Sequence, residues 1–159
     1  RGKVGLIRQG AERLGLSVIR ASVRDAVEPK EALAPANRVL CDAPCSGLGI
    51  IRRKPEIRYK PQDSLDSLPD LQYLILCRSS GLAEPGGLLF YSTCTLNPAE
   101  NGAVAARFLK AHPEFEPEPL RLPNSFRRAV DAPEHQVTLL PPVHGSDGFF
   151  IAAFRRRRE

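Results

Sequence analysis

Apolar residues along this chain recur first at helical and then at strand spacing. Lys3–Leu16 (KVGLIRQGAERLGL) sets Val4, Ile7, Ala11 and Leu14 on one face with charges opposite, and Gly15 stands where a helix stops. Ser17–Ala21 (SVIRA) predicts a short strand. Glu28–Asn37 is a polar, proline-containing connection to Arg38–Gly49 (RVLCDAPCSGLG), where the apolar run Val39–Cys41 ends in an acid and a Pro-Cys-Ser-Gly loop follows. A buried parallel strand delivers polar residues to the carboxyl edge of a sheet in this way, and that edge is where α/β proteins bind ligands. Gly87–Thr95 (GLLFYSTCT) repeats the plan, an apolar strand at Leu88–Tyr91 opening into a loop that carries Cys94.

Between these two strands lies a basic loop, 51–61, in which seven positions are Arg, Lys or Pro. Asp63–Pro69 reads as a linker, Leu71–Ala83 as a helix packed on the sheet, and Glu84-Pro85-Gly86-Gly87 as its breaker. A further helix starts at Asn97-Pro98-Ala99-Glu100-Asn101, with Asn97 as cap, Pro98 in the first turn and Glu100 at the positive end of the helix dipole. It runs to about Ala111. Phe115–Pro133 has no clear period, and Val137–Leu140 and Phe149–Phe154 close the chain as strands, the last introduced by the turn Asp147-Gly148. The order of elements is that of the second half of a doubly wound α/β sheet.

Length allows one domain with a proper core. The chain has no Met and opens on Arg1 inside a helical pattern, so it reads as a piece of a longer polypeptide. The net charge of +5 favours an acidic partner such as nucleic acid. No apolar run reaches the roughly 20 residues that cross a bilayer, and no secretory signal is visible. A cytoplasmic protein with no membrane partner is expected, and a monomer. The four cysteines (Cys41, Cys45, Cys77, Cys94) are then expected as reduced thiols.

The cysteines also carry the candidate chemistry. Cys94 sits in a loop among Ser92, Thr93 and Thr95, whose hydroxyls can donate to a thiolate; a small buried residue at a strand end is the plainer alternative. Cys45 is a loop residue between Pro44 and Ser46-Gly47. Asp42 can hydrogen-bond a base ring or orient a cofactor, or it can cap a helix or pair with Arg52 or Arg53. Zinc is set aside and no metal is expected: Cys41 lies in a strand, and Cys77 falls mid-helix without a second cysteine or a nearby His in sequence. Arg52, Arg53, Lys54, Arg58 and Lys60 suit phosphates and Tyr59 can stack on a base, although a solvated basic loop has the same composition. For Arg155–Arg158 a frayed charged terminus is the default.

Together, Asp42-Ala43-Pro44-Cys45-Ser46-Gly47 with Gly49, Arg52, Arg53 and Pro55, then Ser92-Thr93-Cys94-Thr95 with Pro98, Glu100 and Asn101, closely resemble the Sun/Fmu-type RNA (cytosine-5)-methyltransferases. His144-Gly145-Ser146-Asp147-Gly148-Phe149-Phe150, Arg13-Leu14-Gly15-Leu16 and the Asp25 segment are similar to that family too, so the resemblance covers nearly the whole chain. Its nearest look is to the bacterial enzymes that methylate small-subunit (16S) ribosomal RNA.

The resemblance implies the C-terminal part of a Rossmann-like class I methyltransferase sheet, S-adenosyl-L-methionine as cofactor and RNA as substrate. It makes Cys94 the nucleophile toward carbon 6 of a cytosine. Cys45 becomes the cysteine linked to loss of the carbon 5 proton and release of RNA, Asp42 an acid touching cofactor and base, and Asp25 the residue that hydrogen-bonds the adenine. The family's glycine-rich cofactor loop, the acid that grips the ribose and the N-terminal RNA-binding region have no counterpart in these 159 residues, so weak or no cofactor binding is expected of the isolated chain. A non-catalytic RNA-binding domain of the same fold is the main alternative. A DNA cytosine methyltransferase using Cys45 as nucleophile would leave the Ser-Thr-Cys-Thr loop without a purpose. An adenine-amino methyltransferase wants an aromatic residue where Cys45 stands.

Overall fold

The computed structural model describes residues 2–28, 33–61, 63–123 and 133–158, and they fall into two units, 1–32 and 33–159. In the first, α1 (Gly2–Arg13) ends as its sequence requires: Gly15 takes the left-handed conformation, φ 66°. Its N–H bonds the carbonyl of Glu12 and that of Leu16 the carbonyl of Ala11, which satisfies carbonyls the helix leaves open. Ser17–Ala21 is not a strand. Among the described residues no strand pairs with it, and Val18 is 85% exposed. A strand's amides need a neighbouring strand, and residue preference alone does not supply one.

The second unit is a five-stranded sheet. β1 (Ala36–Asp42) runs parallel to β2 (Ala83–Thr93), β2 is antiparallel to β5 (Phe149–Arg156), and β5 pairs on its other edge with β3 (Phe115–Pro117) and β4 (Gln136–Leu139). The Glu84–Gly87 breaker lies inside β2 rather than ahead of it. Ala83 pairs with Ala36, but the register then slips and Leu88 pairs with Arg38, so the Pro-Gly-Gly segment is an irregularity in the ladder with Gly86 at φ 80°. The expected linker at 63–69 is instead a helical turn, α2 (Asp63–Asp66), leading into α3 (Leu68–Ser80).

Side chains alternate across the sheet as strand geometry demands. Leu89 and Tyr91 of β2 pair with Phe154 and Ala152 of β5 and share the face covered by α3 and α4 (Gly102–Ala111). There Phe108 is fully buried, its ring centroid 4.9 Å from Phe154 and 5.3 Å from Phe115; each such ring contributes about 1.5–3 kcal/mol by burial. On the opposite face Ala153, Val137 and Leu120 pack with Phe90, Leu139 and Ile151. β2 and β5 are thus packed on both faces, and the loops at the carboxyl end of β2 leave from this buried pair. Among the described residues no helix is long and apolar enough to cross a membrane.

Candidate active site

β1 ends at Asp42 and β2 at Thr93, neighbours in a parallel pair, so the loops that follow them leave the same edge of the sheet. This puts Cys45 and Cys94, 49 positions apart in sequence, with sulfurs 3.3 Å apart. Both are free thiols and half-buried. Burial, reinforced by the adjoining Cys94, pushes the Cys45 thiol up to about 12. Cys45 therefore keeps its proton near neutrality and can donate it in a hydrogen bond to the sulfur of Cys94.

The two loops are fastened by a residue that local sequence reasoning assigns elsewhere. Glu100 is not in the first turn of a helix. Residues 98–101 form turns, Asn97 Oδ1 accepts from the Ala99 amide, and α4 begins only at Gly102. Glu100 is fully buried. Its Oε2 accepts from the Ser46 amide (2.8 Å) and from Gln72 Nε2 (2.8 Å), and its Oε1 accepts from Asn97 Nδ2 (3.1 Å). The same Gln72 nitrogen donates to the carbonyl of Pro44 (2.9 Å), and the Ser46 and Thr95 hydroxyls meet at 2.7 Å. Around Cys94, Thr93 Oγ1 donates to Asn101 Oδ1 and Asn101 Nδ2 to the Thr95 carbonyl. Every loop residue flanking the two cysteines is thus tied to a buried partner, which pre-sets the sulfurs before any ligand arrives.

A third loop completes the floor. The Gly49 amide donates to the Cys94 carbonyl (3.0 Å) and the Gly148 amide to the Gly49 carbonyl (2.8 Å). The backbones are so close that a Cβ on Gly49 would lie 2.1 Å from the Gly148 carbonyl oxygen. Asp147, next to Gly148, takes Arg53 Nε at 2.8 Å and Arg52 at 3.7 Å. The arginines pair with this acid and not with Asp42, whose Oδ1 accepts from the Ser92 hydroxyl at 2.8 Å. Asp42 is exposed at the carboxyl edge, with lone pairs to spare for a ligand's donors.

The basic loop contains a 3-10 segment, Pro55–Tyr59, anchored by buried Ile57 against Gly47. Arg52, Arg53, Lys54, Arg58 and Tyr59 are exposed around that anchor, Tyr59 at 83%. Lys60 is exposed as well, but its Nζ donates to the Ser46 carbonyl at 3.0 Å. Asp25 belongs to the first unit, where its Oδ1 accepts from the amides of Val27 and Glu28. Cys77, distant from any His in sequence, meets one in space: His112 Nε2 lies 3.1 Å from its sulfur.

Comparison with known proteins gives this geometry its context. A profile of the family described as 16S rRNA methyltransferase RsmB/F matches residues 2–155. The probable ribosomal RNA small subunit methyltransferase B of Bacillus subtilis is 43% identical over 98% of this chain, and the match spans 36% of that protein. The crystal structure of PH0851 superposes with a TM-score of 0.84 at 32% identity, over 94% of this chain and 33% of that one. NSun6 from Pyrococcus horikoshii with SFG superposes at 0.83 and 22% identity, over 100% of this chain and 40% of that one, a likeness of fold. The chain therefore spans about a third of the relatives it matches, and its sheet is that of the Rossmann-like methyltransferases. Because the profile runs from the first helix into the last strand and takes in both cysteine loops, the chain belongs to the 16S rRNA methyltransferase RsmB/F family.

Proposed function

We propose that this chain is the C-terminal part of a catalytic domain that methylates carbon 5 of a cytosine in RNA, 16S ribosomal RNA in particular, through a covalent bond from Cys94 to carbon 6. The observation that carries the reading is the 3.3 Å sulfur pair at the ends of two adjacent strands. Carbon 5 of cytosine is a poor nucleophile. Addition of the Cys94 thiolate to carbon 6 pushes the electron pair of the 5,6 double bond toward carbon 5; ring nitrogen 3 takes up a proton as this happens, and the Asp42 carboxylate assists by accepting a hydrogen bond from it. Family members use S-adenosylmethionine, which supplies the methyl group as an electrophile. Asp42, exposed and acceptor-rich at the sheet edge, fits a donor-bearing cationic cofactor, and Asp25 is assigned to its adenine.

After methyl transfer carbon 5 must lose its proton, and the electron pair left behind expels the Cys94 sulfur as thiolate. Cys45 suits the first task for an electrostatic reason. Besides burial, its proton is held by the hydrogen bond to Cys94 and by the charge of that neighbour. Once Cys94 is bonded to the base, both of those contributions are lost, so Cys45 releases its proton to solvent more readily and its thiolate is available to take the carbon 5 proton at that stage. The target nucleotide must be unpaired or turned out of its stack to reach the sulfurs, and Arg52, Arg53, Lys54, Arg58, Tyr59 and Lys60 are assigned to holding the RNA.

The test uses the polypeptide that carries this sequence, with Cys45→Ala and Cys94→Ala made separately, incubated with 16S ribosomal RNA and methyl-labelled S-adenosylmethionine. Cys45→Ala is expected to accumulate a covalent protein–RNA species on denaturing gels, and Cys94→Ala to give neither adduct nor methylation. An adduct that depends on Cys45 would reverse the roles. RNA binding with no methylation by the unaltered protein would leave a non-catalytic RNA-binding domain.

A further inference from the structure

Arg155–Arg158 are held against the sheet rather than frayed, the first two within it. Arg155 and Arg156 are the last residues of β5. Arg155 clamps Glu118 with two hydrogen bonds of 2.6 and 2.7 Å and donates to the Gly86 carbonyl. Arg156 donates to the Ala83 carbonyl at 2.8 Å. The Arg157 amide bonds the Glu114 carbonyl, and the Arg158 side chain lies across Gly86, where a Cβ would come within 2.7 Å of its Nε. The left-handed glycine in the β2 irregularity thus makes room for Arg158.

These residues, with Gly86 and Glu116, enclose an open concavity of about 470 Å³. Glu118 neutralises Arg155, and Glu116 lies 3.6 Å from an Arg157 that is 60% exposed, a pair that solvent screens. Among the described residues neither Arg156 nor Arg158 has a carboxylate within ion-pair distance, so the lining keeps two positive charges after both acids are counted. Guanidinium groups whose positions are fixed by backbone carbonyls retain donors in a planar fork that matches phosphate oxygens.

Resting on the reading of the protein as an RNA methyltransferase, we propose that this concavity binds the phosphodiester backbone of the RNA substrate, as a second contact remote from the reacting base. The register gives the separation. Thr93 pairs with Phe150 beside the cysteine loops, and Leu88 pairs with Arg155 at the concavity. Five residues of strand place the two about 17 Å apart. A folded ribosomal RNA reaches across that span, while a single nucleotide cannot. The contact reads no sequence; it fixes register and orientation.

The experiment measures binding of the polypeptide carrying this sequence to a labelled fragment of 16S ribosomal RNA over a series of salt concentrations. Arg157→Gln/Arg158→Gln alters two exposed side chains and Glu116→Gln removes an acid, so neither disturbs the core. Each single-strand phosphate contact contributes roughly 0.7 to the slope of log K against log salt. The double variant is expected to bind more weakly with a slope shallower by about 1.4 (two contacts at that value), and Glu116→Gln to bind more tightly.

Unchanged slopes in both variants overturn the proposal and leave the cysteine chemistry standing. If inorganic phosphate raises the melting temperature of the unaltered protein but not of the double variant, while RNA slopes are unchanged, the concavity is a free-anion site and the RNA assignment falls. If slopes separate as expected but no RNA gives a Cys94 adduct, the anion contact stands and the methyltransferase reading fails.

Discussion

Replacing Glu100 by Ala should separate the two cysteine loops and destabilise the domain by about 2.5–4 kcal/mol. The figure follows from what each donor loses. The Ser46 amide, in a fully buried residue, loses the Glu100 carboxylate it donates to; an orphaned buried donor to a charged group costs about 1.5–3 kcal/mol. Gln72 Nε2 keeps the Pro44 carbonyl, Thr95 keeps Ser46, and half-buried Asn97 can turn to water, so these add little. The space vacated by the carboxylate arm adds roughly another 1 kcal/mol. Glu100→Gln should cost only about 1 kcal/mol, because its amide oxygen can still accept from Ser46 and Gln72. Urea unfolding with unchanged m-value measures both. A second readout is specific to the loops: mild oxidation should link Cys45 to Cys94 rapidly in the unaltered protein, where the sulfurs touch, and slowly in Glu100→Ala. A cost below about 1 kcal/mol together with unaltered cross-linking would refute the reasoning.

Other outcomes follow from the same geometry. Gly49→Ala drives a Cβ into the Gly148 carbonyl, a backbone atom that cannot swing aside; a loss of about 3 kcal/mol or more is expected in thermal or urea unfolding. Cys45 has a pKa raised above its ordinary value of 9.0 to about 12, so its contribution to stability is fully present below pH 9 and declines as pH rises toward 12. Ultraviolet titration of the thiolate in Cys94→Ser should find the Cys45 midpoint lowered, though not to its ordinary value, since burial, the largest cause, remains.

The two cysteine loops were legible because the information is local: an apolar run, an acid, then Pro-Cys-Ser-Gly, and again an apolar run followed by Ser-Thr-Cys-Thr. Strands β1, β2, β4 and β5 lie within a few residues of their expected places for the same reason. Glu100 was misread because Asn97-Pro98 beside it is helix-start chemistry, while the partners that claim its carboxylate, Ser46 and Gln72, lie 54 and 28 positions away. Local preference proposes and tertiary partners decide. Ser17–Ala21 failed in the opposite sense, with a strand's composition but no neighbour to pair with. Arg155–Arg158 read as a solvated tail because charge runs usually are; that half of them continue β5 depends on Ala83, Gly86 and Glu118, which no window around the tail contains.

The hydrogen-bond chain from Cys94 through Gly49 to Gly148 has a consequence in time as well as in space. β5 is synthesised after the other four described strands, yet it lies beside β2 in the middle of the sheet and brings Gly148 to the floor of the cysteine loops. When the ribosome has released Cys94, more than fifty residues must still emerge before that floor can close. Until then the two thiols lack the backbone that holds them. Assembly from parts so distant in sequence is slow, since loop closure precedes its reward. A nascent chain that contains both cysteines is therefore still unfinished at this edge of the sheet, and the arrival of β5 is what closes the floor beneath them.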